Sequence, residues 1–101
     1  MKIGQSIKKV RKLKGFNQGK FSKAIGVTQS YLSLIENDKK KPSLDLLDRI
    51  SKVVEVPVQF IVWFSVSESD VPEHKKETYR TLKPVLDTIV EGIMKDGITL
   101  D

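Results

Sequence analysis

Apolar residues recur every three or four positions along most of the chain, with no useful stretch of strict alternation. That period belongs to helices rather than strands. Ile3, Ile7 and Val10 share one side of a first predicted helix that ends near Lys14, and Gly15 follows as a natural stop. Asn17 is placed to cap a second helix, Gln18 to Ile25, in which Phe21 and Ile25 lie on one face. Gly26 closes it and can take the left-handed conformation that a tight turn needs. Thr28 caps a third helix, Gln29 to about Asn37, with Leu32 and Ile35 inward and Gln29, Ser30, Ser33 and Leu34 outward. Past a basic loop, Asp38-Lys39-Lys40-Lys41-Pro42, Ser43 caps a fourth helix with Leu44, Leu47, Ile50 and Val54 as its expected apolar stripe. Pro57 suits the first turn of a short fifth helix through about Trp63.

Ser65 to Asp70 reads as a polar linker. A last helical region follows, roughly Glu73 to Lys95, with Tyr79, Leu82, Leu86, Ile89 and Ile93 in register and Val85, Val90 and Met94 widening the stripe. Pro84 lies inside it and is expected to kink that helix or split it in two. The fold class is therefore all-α, a five-helix domain over residues 1–65 followed by a C-terminal helical segment over 66–101. The apolar stripe of that segment needs a cover. A second copy of the chain is the favoured one, because Phe60-Ile61-Val62-Trp63-Phe64 is more apolar than a short terminal helix needs for its own core. The expected homodimer interface is Trp63, Phe64, Leu82, Leu86, Ile89 and Ile93. Folding back onto Phe60, Trp63 and Phe64 of the same chain is the other way to cover the stripe.

Charge divides at the same boundary. Residues 1–65 hold 13 Lys and Arg against 5 Asp and Glu, and residues 66–101 hold 5 against 8, so only the front is suited to a polyanion. Enzymatic chemistry has little to draw on. His74 is the sole histidine, there is no cysteine, and Asp45 with Asp48 reads as a charged helix face rather than a catalytic pair. No metal site and no cofactor is expected. No apolar run approaches the roughly 20 residues that span a bilayer, and the N-terminus lacks the apolar stretch of a signal peptide. These features make a cytoplasmic location, away from the membrane, the expectation.

Two short helices joined through a glycine turn, the second capped by Thr28, form a helix-turn-helix arrangement. A helix fits the major groove of B-DNA, where every base pair shows a distinct edge. The wording is more telling than the geometry: Ile7-x-x-x-Arg11-x-x-x-Gly15-Phe16-Asn17-Gln18, Phe21-Ser22-x-x-Ile25-Gly26-Val27-Thr28, Leu32-Ser33-x-Ile35-Glu36-Asn37, Lys41-Pro42-Ser43-Leu44 and Val56-Pro57-Val58-x-Phe60. This ordered set resembles the Cro/C1-type, XRE or lambda-repressor-like, helix-turn-helix family. Gly4-Gln5-Ser6-Ile7 and Ser30 to Asn37 also resemble SinR-type repressors.

The resemblance implies a lambda-repressor-like fold and assigns roles by position. Gln18 matches a phosphate-contacting position, and Gln29 and Ser30 match the base-reading start of the recognition helix, headed by Thr28. Ser33 and Leu34 match outward positions in the next turn, where Leu34 either meets a thymine methyl or is a surface leucine. Tyr31 either reaches the DNA or packs on the flank of the domain. Asn37, Lys39, Lys40 and Lys41 match a loop that contacts the backbone. Arg11 and Glu36 match a structural ion pair. Gly19, Lys20, Ser22 and Asp38 depart from the family's usual residues. The implied function is a transcriptional regulator, a repressor, that binds a pseudo-palindromic site on double-stranded DNA as a homodimer through residues 28–37. A helix-turn-helix module that binds protein instead, of the antitoxin or anti-repressor kind, is the alternative. Resemblance to SinR-type repressors also admits an antagonist protein as a partner.

Overall fold

The computed structural model describes residues 2–96. Among them six α-helices and two short 3-10 turns follow one another, with no strand. The helices are α1 Ile3–Leu13, α2 Gln18–Ala24, α3 Gln29–Glu36, α4 Leu44–Val54, α5 Val58–Ser65 and α6 Lys76–Asp96. The 3-10 turns, Glu68–Asp70 and Glu73–Lys75, occupy most of the segment between α5 and α6.

Three of these starts are fixed locally. The side chains of Asn17, Thr28 and Ser43 accept hydrogen bonds from the backbone N–H groups of Lys20, Tyr31 and Leu46, at 2.8, 3.1 and 3.1 Å. Each satisfies a donor that the first helical turn leaves free. The core gathers Ile7 and Val10 of α1, Phe21 of α2, Leu32 and Ile35 of α3, Leu46, Leu47, Ile50 and Val54 of α4, and Ile61 of α5. The α4 stripe differs from expectation at one end, since Leu44 is 85% exposed and Leu46 is buried in its place. At 100° per residue Leu46 lies about 40° from Ile50 and Leu44 about 120° away on the other side, so the buried arc takes in Leu46 and leaves Leu44 out.

α6 folds back over α1 and α5. Pro84 does not split it, and the helix runs unbroken on both sides of the proline. Met94 is 1% exposed and belongs to the same core as α1 to α5. Val90 packs beside it, and much of the rest of the inward seam is polar. Asp87 Oδ1 accepts from Trp63 Nε1 and from Lys83 Nζ, both at 2.9 Å, and Lys83 Nζ sits 4.4 Å above the Trp63 ring. Lys9 pairs with Glu91 at 2.7 Å and lies over the Phe64 ring. The Tyr79 hydroxyl donates to the Val66 carbonyl. Arg80 hydrogen-bonds Glu68, which holds that carboxyl below its usual range despite the opposing effect of desolvation. Leu82, Val85, Leu86 and Ile89 are left facing outward. Among the described residues no helix is long and apolar enough to cross a membrane.

Candidate nucleic-acid interface

The turn between α2 and α3 is built from both sides. Gly26 adopts φ 75°, where an L side chain is strained. Arg49 of α4 reaches across and donates through Nη1 to the Ile25 carbonyl at 2.7 Å, which ties the end of α2. The Val27 N–H donates to the Ser22 carbonyl at 2.9 Å, so the chain turns within two residues before Thr28 opens α3. Ser22 is buried and bonds the Gly19 carbonyl, so its small side chain permits the close packing here.

This turn sets the outward face of α3. Gln29 and Ser30 are exposed, Ser33 is half-buried and Leu34 is 41% exposed. With Gln18 they line one open concavity between the start of α2 and the flank of α3. Five of the residues expected at the interface are therefore contiguous. Gly19 lies beside them, and a methyl group there would make only ordinary contacts, the nearest with Asn17 Oδ1 at 3.5 Å and Gln29 Oε1 at 3.7 Å.

Beneath the concavity lies a buried charge network. Glu36 accepts from Arg11 Nε at 2.7 Å and from Arg11 Nη2 at 3.0 Å, a two-pronged pair between α1 and α3. Arg11 Nη1 donates to the Phe16 carbonyl at 2.9 Å. Glu36 is 1% exposed and Arg11 7%, so neither charge is solvated and each depends on the other. Gln18 Nε2 donates to Glu36 Oε1 at 3.1 Å. The side chain expected to touch phosphate is thus tethered to the ion pair below it.

The end of α3 leads into the lysines. Asn37 is exposed, and its Nδ2 folds back onto the Ser33 carbonyl. Lys39, Lys40 and Lys41 are exposed. Tyr31 is half-buried, with Lys40 Nζ 5.5 Å above its ring, so it packs on the flank of α3 beside the basic loop. Of the residues expected to pair between subunits, Trp63 lies under Lys83 and beside Asp87 of its own chain. Phe64 lies under Lys9, while Leu82, Leu86 and Ile89 face outward and Ile93 is half-buried.

Three contributors have no local signature in the sequence. Asp38 Oδ1 accepts from the Gly4 N–H, Gln5 Nε2 donates to the Glu36 carbonyl, and Arg49 caps α2, across separations of 34, 31 and 24 residues. A glycine in the first turn of α1 is the one hint. A Cβ on Gly4 would come within 1.9 Å of the Ile35 carbonyl oxygen, so its absence lets α1 touch the end of α3. Among the described residues no three His, Cys, Asp or Glu side chains gather to hold a metal ion.

A short capped helix, a glycine turn and a second capped helix with a polar outer face make a helix-turn-helix unit. The chain belongs to the helix-turn-helix family, whose model matches residues 7–61. It is 41% identical over 98 residues to the HTH-type transcriptional regulator SinR of Bacillus subtilis (strain 168), covering 96% of this chain and 78% of that one. To SinR of Bacillus licheniformis it is 33% identical over 97 residues, covering 95% and 77%. The immunity repressor protein of Bacillus phage phi105 is 34% identical over 62 residues, 61% of this chain and 43% of the relative. No solved structure gives a significant match.

Proposed function

We propose that the chain is a sequence-specific DNA-binding transcriptional regulator that acts as a repressor. In this reading α3 enters the major groove, and a homodimer places two copies about 34 Å apart on a pseudo-palindromic site. One observation carries the proposal: Gln18 of α2 and Gln29, Ser30, Ser33 and Leu34 of α3 line a single open surface, and the other side of α3 is anchored by buried apolar and charged groups. Gln29 can pair with adenine through two hydrogen bonds, Ser30 reads less strictly, and Leu34 meets a thymine methyl. Gln18 and the lysines at 39–41 hold the backbone and fix register without reading sequence. The relatives named as a transcriptional regulator and an immunity repressor support the same reading.

The outward stripe of α6, Leu82, Val85, Leu86 and Ile89, supports a second copy as partner. Isolated exposed leucines need no explanation, but a contiguous apolar stripe on one helix does. A site of action in the cytoplasm, on the nucleoid, follows from the DNA reading.

The test is selection of bound sites from a random DNA pool, followed by salt titration. A pseudo-palindromic consensus and steep loss of affinity with salt are expected. Gln29→Ala should cost about 1–3 kcal/mol on the selected site and blur its sequence, and Lys40→Ala should weaken all duplexes alike and shallow the salt slope by about one unit. Absence of salt-dependent binding would instead favour a protein-binding helix-turn-helix module. Enrichment of half-sites alone, with a chain that stays monomeric, would leave the α6 stripe to an antagonist protein.

A further inference from the structure

We propose that Asp38 is a positioning residue for DNA binding, because its carboxylate seats the amino end of α1 against the exit of the recognition helix. It thereby fixes the path on which Lys39, Lys40 and Lys41 leave. The inference rests on the reading of those lysines as phosphate contacts. Asp38 adopts φ 57°, a conformation that favours glycine, so an aspartate there needs a compensating interaction. The structure supplies one. Asp38 Oδ1 accepts from the Gly4 N–H at 2.9 Å.

That N–H has no acceptor on its own helix. Lys2, the residue before α1, offers no side-chain cap, and the first turn of α1 contains no acidic residue. Asp38 therefore supplies both the missing acceptor and a negative charge where the helix dipole favours it. The approach is close because Gly4 lacks a side chain, and a Cβ there would stand 2.7 Å from Asp38 Oδ1. Gln5 Nε2 adds a second bond, to the Glu36 carbonyl at 2.9 Å. On the other side the loop is held to α3, with the Asp38, Lys39 and Lys40 N–H groups donating to the carbonyls of Ile35 and Leu34. Residue 38 is the point where both sets of bonds meet. The same contact places a carboxylate beside three lysines without leaving it to face phosphate alone.

Two variants of the full chain separate this role from charge and from backbone strain. Asp38→Asn and Asp38→Gly remove the same charge and both tolerate a positive φ, but only asparagine keeps an acceptor for Gly4. Binding to a fluorescein-labelled mixed-sequence DNA duplex is measured across a salt series, with hydrogen exchange of the Gly4 amide followed by NMR. Asp38→Asn should keep that amide protected. Asp38→Gly should open it, bind the duplex about fivefold more weakly than Asp38→Asn at equal salt, and show a slope shallower by about one unit. Equal affinity and equal slope for the two variants overturn the inference while leaving DNA binding intact, even if Asp38→Gly melts at a lower temperature. A wild-type chain with no salt-dependent binding overturns the DNA reading and this inference with it.

Discussion

Helices α3 and α6 are both amphipathic, yet they are turned in opposite senses. α3 buries Leu32, Ile35 and a neutralised charge pair and shows Gln29, Ser30 and Ser33. α6 lays Lys83, Asp87 and Glu91 against its own domain, with Met94 at its far end, and shows Leu82, Val85, Leu86 and Ile89. A hydrophobic period identifies the apolar face of a helix but not what that face meets. In α3 it meets the core of the same chain. In α6 the core is reached mainly through Met94 and Val90, and the wider apolar stripe is left over. An outward polar face suits a wet, charged groove, whereas an outward apolar face suits another protein surface.

The comparison is most severely tested at Glu36. Glu36→Gln leaves the Arg11 guanidinium buried without its counter-charge, and a loss of about 3–5 kcal/mol is expected. Urea melts measure it, and a loss below about 1 kcal/mol would show that solvent reaches the pair. A smaller effect is expected at Asp87, where alanine leaves Trp63 Nε1 and Lys83 without their shared acceptor. About 1–3 kcal/mol should be lost from the docking of α6, with a change in the emission of the single tryptophan as the readout. Unchanged emission would mean that α6 is not held there.

The outward stripe should behave in the reverse way. Leu82→Ser together with Leu86→Ser should abolish self-association in sedimentation while changing the stability of the dilute monomer by no more than about 0.5 kcal/mol per site. A large loss of monomer stability would place those leucines in the core and end the contrast with α3. The smallest effect concerns acid. The hydrogen bond from Arg80 depresses the Glu68 pKa, so its contribution to stability is present above the unfolded pKa and fades as pH falls through the lower folded value. Arg80→Gln should bring the Glu68 carboxyl back toward its ordinary titration in an NMR pH series. Because Glu68 is solvated, the change in stability itself should be slight.

The parts legible in the sequence are those encoded within a few residues. Asn17, Thr28 and Ser43 cap the helices they precede, and Gly26 makes the turn, because each acts on a neighbour three residues away or on its own φ. The contiguous outward face of α3 follows from the same local rules once its first residue is placed. Leu44 shows where a stripe read in steps of three goes astray, since Leu46, one turn before the buried Ile50, takes the inward position expected of Leu44. Pro84 reads as a kink or a break, and α6 continues through it with the loss of one N–H donor on an exposed side. The contacts of Asp38, Gln5 and Arg49 join residues 24 or more apart, and no local pattern announces them.

The bond from Lys14 to the Met94 carbonyl spans 80 residues and seals the first helix to the last. Closing a contact so distant along the chain costs more entropy than closing the nearer contacts around α3. During refolding the recognition unit can therefore condense from its own nearer contacts while α6 is still undocked. Substitutions in the seam of Lys9, Glu91 and Met94 should accordingly fall on the unfolding rate more than on the folding rate. Such a split would make that seam the control on how long the assembled shape lasts, and the shorter-range contacts around α3 the control on how soon it forms.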